Sequence, residues 1–270
     1  MALNPTPRFR IHLDDLSHPG TASFLSLIDA SRLLPNCLDY VLDHLYNTFP
    51  GSNVPPTRSV TLILRPIDGV AFASSIPLDD DHKEITFNLN HIQHFAGNGV
   101  RCRDEIIGVA THELTHCFQY NALGTAPSGL VEGIADFVRL KAGLAPPHWK
   151  GAKEDRGDKW DAGYQKTAYF LNWLEETYGS GTVAKINETM RVIKYDDKKF
   201  WGSIFAECDG IDVLWKKYCA SFDDEEGGGS QIVIADGEAN QGDTILVERR
   251  ENELDDPRRR KVGHEWLGRI

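Results

Sequence analysis

Residues 106–120 of the chain read IIGVATHELTHCFQY and contain the pattern His-Glu-x-x-His, with its fixed positions at His112, Glu113 and His116. In an α-helix, side chains four residues apart lie on the same face, so the two imidazoles converge on one point. Glu113 lies beside them, where its carboxylate can take the proton of a water. The pattern predicts a zinc site on a buried helix. Two histidines on the surface of an amphipathic helix are the alternative.

Zinc in a catalytic site takes three protein ligands and keeps one position open, so the pattern needs a third ligand. Residues 130–136, LVEGIAD, lie on the next predicted helix and place Glu132 and Asp136 on one face. We assign Glu132 as the third ligand and Asp136 as the acceptor of the spare N–H of a ligating histidine. The reverse assignment stays open. Apolar neighbours favour a mostly buried helix over a solvated acidic stripe.

Hydrophobic periodicity and chain-breaking residues predict an α+β fold: a small N-terminal mixed sheet, the helix of the motif and a mostly helical C-terminal half. Strands are expected at residues 8–13, 59–64, 69–76 and 85–89. Helices are expected at residues 21–46, with a break or kink at Pro35, and at 104–121, 129–142, 160–178, 182–193, 198–208 and 212–220.

Composition excludes several classes of protein. The chain has 270 residues, a hydrophobic share of 41% and a formal net charge of -11, so it can form a core and is not wholly disordered. The negative charge argues against nucleic-acid or anionic-membrane partners. No apolar run approaches the roughly 18 residues of a membrane-spanning helix. Five cysteines without close pairs argue against a disulfide scaffold.

The negative charge is concentrated near the C-terminal end. Residues 223–270 hold 13 acidic and 7 basic residues, a net charge of -6 out of the -11 of the whole chain. They begin with DDEEGGGS, an acidic and glycine-rich run that is typical of a linker. We expect a metallopeptidase-type domain at residues 1–222 and a linker with a partly disordered C-terminal extension at 223–270.

Four blocks of sequence follow one another in the order HELTHCFQY, GLVEGIADFVRLKAGLAPPHW, GDKWDAGYQKTAYFLNWLE and IDVLWKKY. They resemble the plant basic secretory protein family, which has fungal members and is regarded as a family of zincin-like zinc peptidases. The resemblance covers roughly residues 62–222 and is strongest at 108–174. It implies a zincin-like metallopeptidase fold, zinc on His112, His116 and Glu132, Glu113 as catalytic base, and a peptide or protein substrate.

Two further parts of a peptidase site can be sought in the sequence. Tyr164, in the run WDAGY, is the predicted donor to the oxyanion, because a phenol can donate to developing negative charge. A buried tyrosine with its hydroxyl bonded to the backbone is the alternative. In zincins an edge strand commonly holds the substrate backbone antiparallel to itself, and residues 69–76 or 85–89 could supply that strand.

The family is named for basic, secreted proteins, whereas this chain is acidic and begins MALNPTPRFRIHLDDL, without the apolar segment of a signal peptide. We expect a cytoplasmic protein, while the resemblance implies that secretion is open to it. Two other functions stay open: a zinc-binding interaction or defence-type module that no longer cleaves peptides, and a zinc hydrolase for a small molecule. A long groove along a strand would favour peptides, and a closed pocket a small molecule.

Overall fold

The computed structural model describes residues 6–206 and 210–222, and the predicted extension at 223–270 lies outside the described residues. The strands are β1 (Arg8–Leu13), β2 (Ser59–Arg65), β3 (Ala71–Ile76) and β4 (Asp79–Asn88). The helices are α1 (Pro19–Leu27), α2 (Leu33–Leu45), α3 (Leu89–Phe95), α4 (Gly99–Phe118), α5 (Ser128–Lys141), α6 (Tyr164–Tyr178), α7 (Thr182–Val192), α8 (Asp197–Ile204) and α9 (Ile211–Ala220). The α+β class predicted from the sequence is confirmed.

The four strands form one mixed sheet in the order β1-β2-β4-β3. β1 and β4 both run parallel to β2, while β3 runs antiparallel to β4. Because side chains alternate along a strand, one face of β2 places Val60, Leu62 and Leu64 in the core. β3 is an edge strand and β4 lies inside the sheet. Of the two runs proposed for the edge, 69–76 therefore lies there and 85–89 does not.

Helix α4 carries the His-Glu-x-x-His pattern and lies at the centre of the described fold. It packs against α1, α2, α3 and α5, and against β3 and β4. Ile106, Ala110 and Leu114 belong to the core, and the cleft-facing His112 is only 8% exposed. A helix that is buried almost all round lies inside a domain rather than on its surface. The alternative of two surface histidines is therefore wrong.

Residues 160–163 are held against the first turn of α5. A Cβ atom at Gly129 would lie 1.9 Å from the carbonyl oxygen of Asp161, so only glycine permits this approach. Thr167 reinforces the contact, because its hydroxyl accepts from the N–H of Gly163 and donates to the carbonyl of Trp160. The start of α6 is therefore positioned by α5.

The bounds of some elements differ from those predicted. The break in the first helical region falls at residues 28–32, and Pro35 lies in the first turn of α2, where its ring fits and no N–H is needed. β4 begins at Asp79, earlier than expected. The hydrophobic pattern does not predict the seven-residue helix α3, whose first turn is capped by the Asn88 side chain. Within the described residues, none of the helices has the length and apolarity needed to cross a membrane.

We predict that Gly129→Ala destabilises the protein and that Gly202→Ala does not. A Cβ at Gly129 would overlap the carbonyl of Asp161, and overpacking of this kind costs about 1–3 kcal/mol. Apart from its chain neighbours and the backbone of its own helix, no atom of the described residues lies within 4 Å of a Cβ at Gly202 in α8, so alanine there raises the free energy of unfolding by about 0.5–1 kcal/mol. Urea denaturation measures both changes, and equal stabilities would contradict the close contact of Gly129.

Candidate metal centre and cleft

Helices α4 and α5 bring three of the predicted side chains to one point. His112 Nε2 lies 3.1 Å from His116 Nε2 and 3.2 Å from Glu132 Oε2. His116 Nε2 lies 3.6 Å from the same carboxylate oxygen. Ligands at about 2.0 Å from a tetrahedral metal ion are about 3.3 Å from one another. The three atoms therefore have the spacing of one face of such a tetrahedron, and they form a group that could hold a metal ion.

Asp136 lies on the opposite side of the His112 ring. Its Oδ1 is 2.7 Å from His112 Nδ1, and the residue is 3% exposed, so it does not belong to a solvated acidic stripe. An ionised carboxylate can only accept, so Nδ1 donates to Asp136, and in the neutral form of the imidazole Nε2 presents a lone pair toward His116 and Glu132. Three acceptor atoms then face one another, an arrangement that a cation stabilises. The donor set thus fits a metal ion.

The electrostatics of this group favour positive charge. Burial lowers the pKa of His112, but hydrogen bonds with Asp136 and Glu132 outweigh it and raise the pKa to about 9. Burial also raises the pKa of Glu132, while His112 and His116 bring it well below its usual range. Both shifts have one cause, the stabilisation of positive charge between imidazoles and carboxylates.

Glu113 lies where α4 meets the edge strand. The residue is 6% exposed, and its carboxylate lies close to the backbone of Ala73 on β3. Burial raises the pKa of Glu113, against the lowering effect of His112 and His116. A carboxylate with a raised pKa is a better proton acceptor near neutral pH. Glu113 is therefore suited to proton transfer beside the strand edge.

These side chains line a cleft with a volume of about 830 Å³. One wall is the edge strand with the residue before it, at Val70, Ala71, Phe72 and Ala73. Val70 and Phe72 are 41% and 46% exposed, so the strand offers apolar surface at its edge. The other walls come from α3, α4, α5, the loop between α5 and α6, and the start of α6. The cleft follows an exposed strand, a geometry that can receive an extended peptide.

A family model described as a peptidase of plants and bacteria matches residues 6–218 of the 270-residue chain. The chain belongs to this family, the basic secretory protein family. No curated protein and no solved structure matches this chain. The resemblance found in the sequence is confirmed. Membership of a peptidase family assigns the chain to the hydrolases whose substrates are peptides or proteins.

In this member of the basic secretory protein family, Tyr164 lies over the ring of His112. The ring centroids are 6.1 Å apart and the rings are tilted by 13°. Tyr164 is 55% exposed and lines the cleft, so the alternative of a buried tyrosine is wrong. Its φ of 48° is strained for a residue with a side chain, and the contact of the preceding loop with Gly129 holds it. The charge of Glu132 raises the pKa of the phenol, which keeps its proton.

The cleft also contains charged residues that the motif does not include. Glu105 on α4 and Arg139 on α5 both line it. Glu105 precedes His112 by seven residues, and Arg139 follows Glu132 by seven, so each lies two turns away on the same helix face. That spacing is the signal in the sequence that points to them.

Proposed function

We propose that the chain is a zinc-dependent peptidase with a zincin-like fold, in which Glu113 is the general base. The proposal rests on the convergence of His112 Nε2, His116 Nε2 and Glu132 Oε2, 3.1 to 3.6 Å apart, in a cleft beside an edge strand. Two imidazoles and one carboxylate are a known ligand set of catalytic zinc. Membership of a peptidase family supports the reaction.

In this proposal His112, His116 and Glu132 hold the zinc ion, and Asp136 orients His112. The assignment of Glu132 as third ligand is supported by Oε2, which faces the Nε2 atoms of both histidines. Asp136 instead contacts the other ring nitrogen of His112, as an orienting carboxylate does. Imidazole nitrogen suits zinc better than magnesium or calcium, which prefer oxygen.

The reaction follows from the positions of the protein's own groups. When bound, zinc polarises the carbonyl of the scissile bond and lowers the pKa of a water toward about 7. Glu113 accepts the proton of the attacking water and passes it to the nitrogen of the leaving amine. The packing of α4 against β3 keeps the carboxylate next to the strand. Tyr164 donates its hydroxyl hydrogen to the oxygen on which negative charge develops.

The substrate backbone would add to β3 as a further, antiparallel strand. β3 has a free edge among the described strands, and its residues Ala71, Phe72 and Ala73 line the cleft. A cleft that follows a strand favours an extended peptide over a compact small molecule. The placement of Glu113 between the histidines and this strand favours cleavage over binding alone.

We predict that the purified protein binds one zinc ion per chain. His112→Ala removes a ligand and reduces the bound zinc to background. Asp136→Asn keeps all three ligands but weakens zinc binding by about 10- to 100-fold, because the orienting carboxylate is lost. His94→Ala is the matched control, since His94 is exposed on α3 and does not line the cleft. Elemental analysis and calorimetric titration measure these changes, and full zinc in His112→Ala would contradict the site.

We predict that zinc-loaded protein cleaves members of a random peptide library and that Glu113→Gln slows cleavage by at least about a hundredfold, because the general base is lost. Zinc content stays unchanged in this variant. Glu176→Gln, at an exposed position of α6, is the control and cleaves at the wild-type rate. Equal rates for Glu113→Gln and wild type would rule out the assigned base. A wild type that binds zinc and cleaves no peptide would instead support the interaction module.

We predict that Tyr164→Phe lowers kcat by about a hundredfold and leaves KM nearly unchanged, because the ring stays over His112 while the donor to the oxyanion is removed. Bound zinc is measured alongside and does not change. Tyr178→Phe, an exposed tyrosine at the end of α6, is the control. Similar values of kcat in wild type and Tyr164→Phe would remove this tyrosine from the mechanism.

A further inference from the structure

A second group of charged side chains lies in the cleft, away from the candidate metal ligands. The Arg139 cluster consists of Glu105, Arg139, Arg101 and His91. One carboxylate oxygen of Glu105 lies 2.9 Å from Arg139 Nη2 and 2.9 Å from Arg101 Nη1. The other oxygen lies 2.9 Å from His91 Nε2. Three of the four residues, all except Arg101, line the cleft itself.

The guanidinium of Arg139 is held in place by the residues around it. A Cβ atom at Gly108 would lie 2.7 Å from Arg139 Nε, so this glycine in the middle of α4 leaves room for the group. Nε donates to the carbonyl of Leu144, and the ring of Trp149 lies 5.7 Å from the guanidinium carbon. A guanidinium has five N–H donors, and these bonds use the one on Nε and one of the two on Nη2. Arg139 is thus fixed in orientation at the cleft wall, with further donors at Nη1.

The charges of the cluster do not balance. Burial raises the pKa of Glu105, but His91, Arg139 and Arg101 reverse this and lower it to about 2, so the carboxylate is ionised at neutral pH. One negative charge then faces two guanidiniums, which leaves the cluster positive by one even with His91 neutral. The other end of the cleft is acidic, with Glu113, Glu132 and Asp136. The cleft therefore has two ends of opposite charge.

The distance between the two ends follows from helix geometry. Glu105 lies seven residues before His112 on α4, and Arg139 lies seven residues after Glu132 on α5. At a rise of about 1.5 Å per residue, both offsets are about 10 Å. An extended peptide covers that distance in about three residues. The cluster is therefore within reach of groups on a substrate bound at the metal site.

The register of the sheet shows which part of the substrate would face the cluster. Ala71, the first residue of β3, pairs with Phe87, whose ring centroid is 6.2 Å from that of His91. The cluster thus lies toward the N-terminal end of β3, whereas Glu113 contacts Ala73 further along. A peptide antiparallel to β3 has its C-terminal part at that end. The residues that follow the scissile bond therefore face the cluster.

We propose that the Arg139 cluster binds a carboxylate of the peptide substrate, on the C-terminal side of the scissile bond and within about three residues of it. The carboxylate is either an Asp or Glu side chain or the free C-terminus of the peptide. Arg139 presents a fixed guanidinium fork, which matches a carboxylate in shape and charge. This inference rests on the proposed peptidase function.

The test is a random peptide library prepared twice, with free and with amidated C-termini, whose cleavage products are identified by mass spectrometry. If side chains are bound, Asp and Glu are enriched over Asn and Gln about tenfold at one of the three positions after the cleaved bond. If the C-terminus is bound, cleavage falls within three residues of the free end and amidation abolishes it. Cleavage with neither preference would overturn the proposal.

Two variants are expected to change the enrichment of acidic residues in opposite directions, which a cluster with only a structural role would not do. Arg139→Gln removes the fork and the enrichment, and it leaves Glu105 paired with Arg101 and His91. Glu105→Gln makes the cluster more positive and increases the enrichment. Arg10→Gln on β1, at the other edge of the sheet, is the control and keeps the wild-type ratio. Because each ratio is measured within one reaction, a partly unfolded sample does not alter it. If the C-terminus is the bound group, the ratio compared is that of free to amidated peptides cleaved in one mixture. An acid-to-neutral ratio that is equal in all four proteins for both kinds of carboxylate would overturn the proposal.

A binding measurement separates this inference from the proposed function. The probes are dye-labelled penta-alanine with a free C-terminus, its C-terminal amide, and two amides that carry Glu or Gln at the fourth position. Fluorescence anisotropy with zinc-loaded Glu113→Gln protein reports binding without cleavage. If the free-C-terminus peptide or the Glu peptide binds more tightly than its amidated or Gln counterpart, the result supports carboxylate binding by the cluster. It does so even if the wild type cleaves nothing and the peptidase proposal fails. If the wild type cleaves peptides without any preference for carboxylates, the peptidase proposal stands and the proposed role of the Arg139 cluster is wrong.

Discussion

The candidate centre depends on one buried contact, the hydrogen bond of 2.7 Å between His112 Nδ1 and Asp136 Oδ1. It joins α4 to α5 and determines which nitrogen carries the proton in the neutral imidazole. Nε2 is then left to face His116 and Glu132. A buried carboxylate without a partner would be strongly unfavourable, so the same contact explains how Asp136 can be 3% exposed. Helix packing and the chemistry of the cleft are thus coupled through a single pair.

Helix α4 contributes side chains to both the core and the cleft. Its polar groups are therefore buried and need hydrogen-bond partners. Thr111 and Thr115 donate to the carbonyls one turn earlier, at Ile107 and Thr111. Glu113 lies against the backbone of β3. The bond between His112 and Asp136 is likewise internal to the fold, so the His112 ring is oriented before any ligand arrives. Such pre-orientation is what electrostatic catalysis requires, because the groups do not have to reorganise during the reaction.

The features predicted from the sequence are those that depend on local spacing. His112 and His116 share a helix face, as do Glu132 and Asp136, and the structure brings both pairs together. The strand order β1-β2-β4-β3 arises from pairing between distant segments. The sequence therefore did not decide whether residues 69–76 or 85–89 form the edge strand. The break or kink predicted at Pro35 was wrong, because a proline also fits the first turn of a helix, and Pro35 lies in the first turn of α2. The contact of Glu113 with Ala73 depends on the pairing of β3 with β4 and on the packing of α4 against β3. Local spacing in the sequence predicts neither.

Net charge describes this chain poorly, because the charges that matter are local. The whole sequence carries -11, of which -6 belongs to residues 223–270, outside the described fold. Within the cleft, the acidic end and the Arg139 cluster are about 10 Å apart along the helices, close to the screening length of about 8 Å at physiological salt. A surface excess of negative charge is screened over that distance, whereas a buried guanidinium such as Arg139 is screened much less. The cluster can therefore attract a carboxylate although the protein as a whole is acidic.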